Sequence, residues 1–208
     1  MTIFLPSGFS VADEAERERL AREVIAANPF ATLVGQVQTE LFVTHCPIIA
    51  RPGELVLEGH VSRGNPHWRA WQGEGAGVIA IFHGPHGYVS PTLYEGRENV
   101  PTWNYVTVHA TGRATTVEDA GGKHDLLKRL IRVVEPAYEA HWNELDDGYQ
   151  QRMLGGMVGV RIVVERLEAK FKLSQNRLPA DRRRVRDAFA RGGERERSLA
   201  DWMQRLGA

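Results

Sequence analysis

The residues best suited to chemistry lie between Val100 and Tyr105, where Trp103, Asn104 and Tyr105 set two large rings beside an amide. Large flat side chains do not profit from sitting in water, so their presence beside a turn-rich stretch implies a surface built to receive something. Two other stretches offer matching groups: one carries His60, Arg63, Asn65 and Trp68, the other Lys172, Ser174, Gln175, Asn176 and Arg177. A flat, phosphorylated ligand needs apolar or aromatic faces for its ring, donors for its heteroatoms, and cations or amides for its phosphate. Trp68, Trp103 and Tyr105 offer the faces, and His60, Asn65 and Asn104 offer the donors. Arg63, Lys172, Ser174, Gln175, Asn176 and Arg177 are of phosphate-binding type. These residues are expected to bind a phosphorylated aromatic cofactor, none of them as a catalytic group. The expected cleft has three walls: the Gly64–Trp68 turn, the Trp103–Tyr105 stretch and the Lys170–Arg177 strand end.

Other chemistries fit less well. His83-x-x-His86, with His60 or His109, invites a metal, yet no histidine pair stands at i, i+4 on a helix and no cysteine or carboxylate cluster has zinc-like spacing. Gly73-Glu-Gly75-Ala-Gly77 precedes a strand, whereas a dinucleotide fingerprint follows one. Ser62, Ser90 and Ser174 lack a nucleophile-elbow context. The single cysteine, Cys46, sits in a strand-like run and reads as a buried structural thiol. After Gln175 the chain is rich in arginine, and two helices with a glycine break resemble a fragment of a helix-turn-helix. Val185, Phe189, Leu199, Trp202, Met203 and Leu206 give those helices apolar faces, and interspersed acids dilute their positive field. Helices docked on the body of the protein are the simpler reading.

The elements that must position these groups follow from periodicity. A capping box at Ser10-Val-Ala-Asp13 opens a helix to Ala27, and Asn28-Pro29 stops it. Strands are predicted over Phe30–Val37, Leu41–Ala50, Leu55–Val61, Gly77–Phe82 and Thr102–Thr111, with His83 to Tyr88 in a glycine-rich loop. Pro66 begins a short helix, Asp119–Val134 is a longer one, and another lies near Tyr149–Leu154. From Val158 to Leu173 the apolar set alternates but changes phase near Glu165-Arg166, which predicts a bulge or bend of the kind that turns a barrel corner. Helices over about Ala180–Ala190 and up to Leu206 close the chain. The fold class is mainly β with flanking helices (α+β).

At 208 residues, with 42% hydrophobic and 25% charged side chains, the chain can bury a sizeable core in one large domain or one domain with an appendage. Lys+Arg and Asp+Glu both total 26, so net charge alone points to neither nucleic acid nor membrane. No apolar run approaches the ~20 residues that span a bilayer. One cysteine and no cationic-then-apolar leader predict a cytoplasmic protein.

Four blocks carry a family resemblance: Gly59-His-Val-Ser-Arg-Gly-Asn-Pro-His-Trp68, Phe82-His-Gly-Pro-His-Gly-Tyr-Val-Ser90, Asn99-Val-Pro-Thr-Trp-Asn-Tyr105 and Lys170-Phe-Lys-Leu-Ser-Gln-Asn-Arg177. In this order they resemble the PaiB-like family of FMN-binding negative transcriptional regulators. The resemblance implies a split β-barrel over residues 1–176, a helical C-terminal extension over 177–208, and a homodimer with FMN between the subunits. It implies a repressor, redox- or flavin-linked, and it is through the resemblance alone that DNA enters as a partner. The isoalloxazine ring is expected against Asn65–Trp68 and Trp103–Tyr105, and the phosphate near Arg63 and Lys172–Arg177. A flavin-dependent oxidoreductase or flavin reductase is the alternative, with His83, His86 or Tyr88 as proton donors, and a haem-handling split barrel is a minor one.

Overall fold

Proline at position 29 disfavours a helical conformation at Asn28, and the first helix, α1 (Glu14–Ala27), stops one residue earlier. Its N-terminus is capped by Asp13, whose carboxylate accepts the Glu16 N–H at 2.7 Å. The expected capping residue Ser10 lies outside the described residues; the structure, a computed structural model, describes residues 3–9 and 11–208.

Six strands follow: β1 (Phe30–Val37), β2 (Glu40–Ala50), β3 (Val56–Ser62), β4 (Ala76–Val89), β5 (Thr102–Val117) and β6 (Met157–Lys172). Their hydrogen-bonded order is β1-β2-β3-β6-β5-β4, a closed barrel. The pairs β1–β2, β1–β4, β2–β3 and β3–β6 are antiparallel, with Leu33 opposite Thr44 and Ala80, and Gly59 opposite Ile48 and Val160. After β5 come α2 (Ala120–Val134), α3 (Tyr138–Glu144) and α4 (Asp147–Gly155); α5 (Pro179–Ala190) and α6 (Glu194–Arg205) follow β6. Among the described residues no helix is long and apolar enough to cross a membrane.

Two expectations need correction. His83 to Val89 is not a loop but the second half of β4, and β5 runs six residues past Thr111. The glycines that read as turn signals are instead places of close approach. A Cβ on Gly84 would stand 3.0 Å from the Val106 carbonyl, and one on Gly87 would press on Leu199 and Phe189. Helix α3 had no capping signal and went unpredicted.

The chain divides into two compact units. The first holds Asn28–Phe82 and Ala110–Leu167; the second holds Thr2–Ala27, His83–His109 and Glu168–Ala208. In the first, Ala31, Leu33, Ile48, Ala80, Phe82, Val158, Val160 and Ile162 are buried at alternate strand positions. Asp119 caps α2 and Asp146 caps α4, accepting the Gly122 and Tyr149 N–H groups. Leu126, Leu154 and Met157 form a small apolar cluster with Leu127, whereas Val134 at the end of α2 is exposed. In the second, α5 and α6 bury Val185, Phe189, Leu199, Trp202 and Met203, and Trp202 packs on Phe171 with ring centroids 5.2 Å apart.

Strand β6 is continuous, yet its buried apolar side chains change from Val158, Val160, Ile162 and Val164 to Ala169 and Phe171, a phase that Leu173 just past its end keeps. The change of phase falls across exposed Glu165 and Arg166, where the sequence placed it.

Candidate functional site

Strand β3 and the turn after it deliver the first group of expected residues, all in the first unit. The Arg63 N–H is fixed by the Gly156 carbonyl at 2.9 Å. Its guanidinium donates to the carbonyls of Gly155 (3.0 Å) and Met157 (3.4 Å) and pairs with Glu118 at 3.3 Å. Trp68 Nε1 donates to the Arg63 carbonyl at 2.9 Å, and its ring lies 5.5 Å from the Arg63 guanidinium and 5.6 Å from that of Arg69. Arg63 therefore braces the junction of β3, α4 and β6 while keeping a cation beside an aromatic face.

Asn65 has its amide committed on both sides. Its Oδ1 accepts the His67 N–H at 2.9 Å, capping the short 3-10 turn Pro66–Trp71, and its Nδ2 donates to Thr44 Oγ1 at 3.0 Å. The Thr44 hydroxyl also hydrogen-bonds His67 Nδ1 at 3.0 Å, while His67 Nε2 is buried without a hydrogen-bond partner. His67 is wholly buried beside Phe42 and Trp71, and burial holds its pKa down at about 4. Gly35 makes room for it, since a Cβ there would stand 2.6 Å from Nε2.

His60 lies on β3 with its Nδ1 buried and without a hydrogen-bond partner, and burial lowers its pKa. It lines a cavity of about 470 Å³ with Ser62, Leu127, Arg152, Met153, Gly156 and Met157. Arg152 was missed by the sequence reading, because one arginine on a short polar helix gives no signal of what it will face.

The second unit holds the other expected residues. Trp103 is half exposed, with Tyr88 edge-on at 5.8 Å and His86 tilted at 6.4 Å between ring centroids. Asn104, next to it, points inward and is wholly buried. Its Nδ2 donates to Ser174 Oγ at 3.0 Å, and that hydroxyl donates back to Asn104 Oδ1 at 3.1 Å. Ser174 has φ +66, in the left-handed region that costs a non-glycine residue, and this reciprocal pair fixes the turn after β6. Gln175 completes the turn by accepting the Leu173 N–H at 2.7 Å and donating to the Phe171 carbonyl.

Three cations belong to the same unit, Lys170 buried and Lys172 and Arg177 half-buried. Lys170 donates to the Phe4 carbonyl at 2.7 Å; Lys172 donates to Thr102 Oγ1 and the Trp103 carbonyl, both at 2.6 Å. Their ammonium groups lie 5.3 and 5.9 Å from the Tyr105 ring. Arg177 donates to Asn99 Oδ1 at 2.8 Å and lies 4.3 Å over the Tyr94 ring. Every one of these acceptors is uncharged. Burial, and then the fields of Lys170 and Arg177, lower the pKa of Lys172. Gln175, exposed Asn176 and Arg177 line a second cavity of about 420 Å³ with Gly96, Asn99, Leu178, Pro179 and Asp181. Cations held by neutral oxygens, with Tyr105 half-buried and Trp103 exposed in the same unit, make a surface suited to an anion that also carries a flat apolar part.

Elsewhere, Cys46 is buried and its thiol is pushed up to about 12 by burial alone, so it is inert at neutral pH. His83 and His109 lie near each other, and burial lowers the His109 pKa, with Glu168 opposing and His83 and Lys170 reinforcing.

Over residues 4–166 the chain matches the family described as "Putative FMN-binding domain". It is 35% identical over 187 residues to "Protease synthase and sporulation protein PAI 2" of Bacillus subtilis (strain 168), covering 86% of this chain and 85% of that one. Among solved structures it is similar to the flavocytochrome Anf3 from Azotobacter vinelandii, with TM-score 0.59 and 17% identity. That match covers 74% of this chain and 66% of the other, just under two thirds of its length. It is also similar to the FAD and heme binding protein from Mycobacterium smegmatis, with TM-score 0.58 and 19% identity over 75% and 71% of the two chains. At these identities the two structural likenesses show a shared fold, the split barrel.

Proposed function

The chain belongs to the PaiB-like FMN-binding family, and on that premise we propose that it is an FMN-binding negative regulator of transcription. The observation that carries the cofactor is the second unit's trio of Lys170, Lys172 and Arg177, whose donors rest on uncharged oxygens beside Tyr105 and Tyr94. A phosphate dianion is the anion such a set suits, because charge-assisted hydrogen bonds form with no carboxylate to displace. Trp103, half exposed, offers a face to a flat ring, and in the first unit Trp68 offers another. When bound, FMN supplies electron-transfer chemistry that no side chain provides. The protein's share is to hold the phosphate, stack the ring and limit water. We read the working form as a cytoplasmic homodimer with the cofactor between subunits, and the arginines from Arg182 to Arg197 as contacts to DNA phosphates.

Freshly purified protein should be yellow, with visible absorbance that bleaches on reduction. Colourless protein that takes up no added FMN sinks the cofactor. Binding to an operator fragment should weaken steeply with salt, as counterion release requires; binding indifferent to salt removes DNA from the reading.

A second reading, a flavin-dependent oxidoreductase or flavin reductase, draws on His86 and Tyr88 beside Trp103, which put a titratable ring and a phenol next to an exposed indole. Turnover of NADH or NADPH with a small acceptor, without a gel shift, selects it.

A further inference from the structure

We propose that the first unit's cavity between β3, α2, α4 and the start of β6 binds a small organic anion with an apolar body, an aromatic carboxylate in class, separately from the flavin. Its volume, about 470 Å³, has room for a ring and a carboxylate. Leu127, Met153 and Met157 form the apolar wall, and methionine adapts its shape to a flat ring at little cost.

The polar side of the cavity has open bonding capacity. The Arg152 guanidinium, at the exposed rim, makes no hydrogen bond or ion pair among the described residues and lies 5.8 Å from the Tyr149 ring. A guanidinium fork matches a carboxylate through two parallel hydrogen bonds. Ser62 Oγ accepts the Gly64 N–H at 3.2 Å, which leaves its own proton to give. His60 Nδ1 is buried without a partner, an unmet polar group of the kind that a bound ligand or water relieves.

Nothing in the lining repels an anion. No carboxylate lines the cavity, and the carbonyls at the C-terminal end of α4, which would oppose negative charge, are already matched to cations. Arg63 donates to the Gly155 carbonyl, and Lys123, itself buried, donates to that of Leu154 at 2.6 Å. A regulator needs a signal, and this cavity supplies a place for one. Of the residues expected from the sequence to bind the cofactor, only His60 lines it.

The test uses the full chain loaded with FMN, its methionine methyls labelled with carbon-13, titrated with benzoate and, as an uncharged control, benzyl alcohol. The chain has four methionines, and Met203, buried in the second unit, is the internal reference. Benzoate should shift the Met153 and Met157 methyls saturably, leave Met203 unmoved and leave the flavin spectrum intact. Benzyl alcohol should bind more weakly, and Arg152→Ala should weaken benzoate about tenfold or more, as loss of a charge-assisted hydrogen bond requires. No Met153 or Met157 shift up to about 10 mM benzoate, well past the range of weak small-ligand sites, overturns the proposal. So does unchanged affinity in Arg152→Ala, or release of flavin by benzoate, which would make the cavity part of the cofactor site. A chain that takes up no flavin but shows the methyl shifts sinks the function proposed above and leaves this site standing.

Discussion

Trp103 is 52% exposed and rests on Tyr88 and His86 rather than on a core. Trp103→Ala should therefore cost about 1 kcal/mol of stability, the worth of an aromatic pair, while flavin affinity falls about tenfold, as loss of a stacking face implies. Thermal melts and a flavin fluorescence titration separate the two effects. A collapsed melting temperature with normal flavin affinity would reassign Trp103 to the core. His67 makes the opposite case, a titratable ring with no route to solvent. Its native pKa is about 4, against an ordinary value of 6.5. As pH falls through that window the unfolded chain takes up a proton that the native ring refuses. The stability His67 contributes is thus fully present above pH 6.5 and is lost towards pH 4, by up to about 3 kcal/mol. Urea midpoints at pH 7 and pH 4.5 should show the loss, and His67→Gln should flatten it. Residue type did not announce these roles. Asn104 and Ser174 were expected to face a ligand, yet they face each other in the interior. A buried amide and a solvent-facing one have the same one-letter code, and only packing tells them apart.

At the scale of elements, Glu58 ties α2 to the barrel. Its side chain is wholly buried and pairs with Arg129 of α2 at 2.8 Å and Arg161 of β6 at 3.1 Å, with Arg51 at 4.0 Å. Glu58→Ala leaves guanidinium groups without their shared anion, and should destabilise the chain by about 3–5 kcal/mol. A urea midpoint close to the parent's would show that the clamp is a surface feature. Gly112 is a sharper constraint, because a Cβ there would lie 2.1 Å from the Val163 carbonyl on β6. Gly112→Ala should force β5 away from β6 and lower the melting temperature by several degrees, as a change of a kcal/mol or more does in a chain of this size. Element types were largely legible, since α1, α2, α5, α6 and every strand carry their period in the sequence. The length of β4 was not. Pro85, Gly84 and Gly87 imitate a turn locally, and their real cause is the approach of Val106, Leu199 and Phe189 from other parts of the chain.

At the scale of the molecule, a cofactor that binds only the native state stabilises it by mass action. FMN at about a hundred times its Kd should add about 2.7 kcal/mol, read as a rise in melting temperature that saturates with FMN. The absence of any rise up to solubility, with protein that is already colourless, would remove the flavin. The sequence by itself determined the strand periods, the phase change in β6, the apolar faces of the last two helices and the family. These are properties of neighbours along the chain, and they survive without a fold. Tertiary structure alone decided that Arg63 is matched to Gly155, Met157 and Glu118, that His60 and Arg152 line one cavity, and that Lys170, Lys172 and Arg177 rest on neutral oxygens. Whether a polar atom is free for a ligand depends on which distant atoms fold against it, and that information is not local.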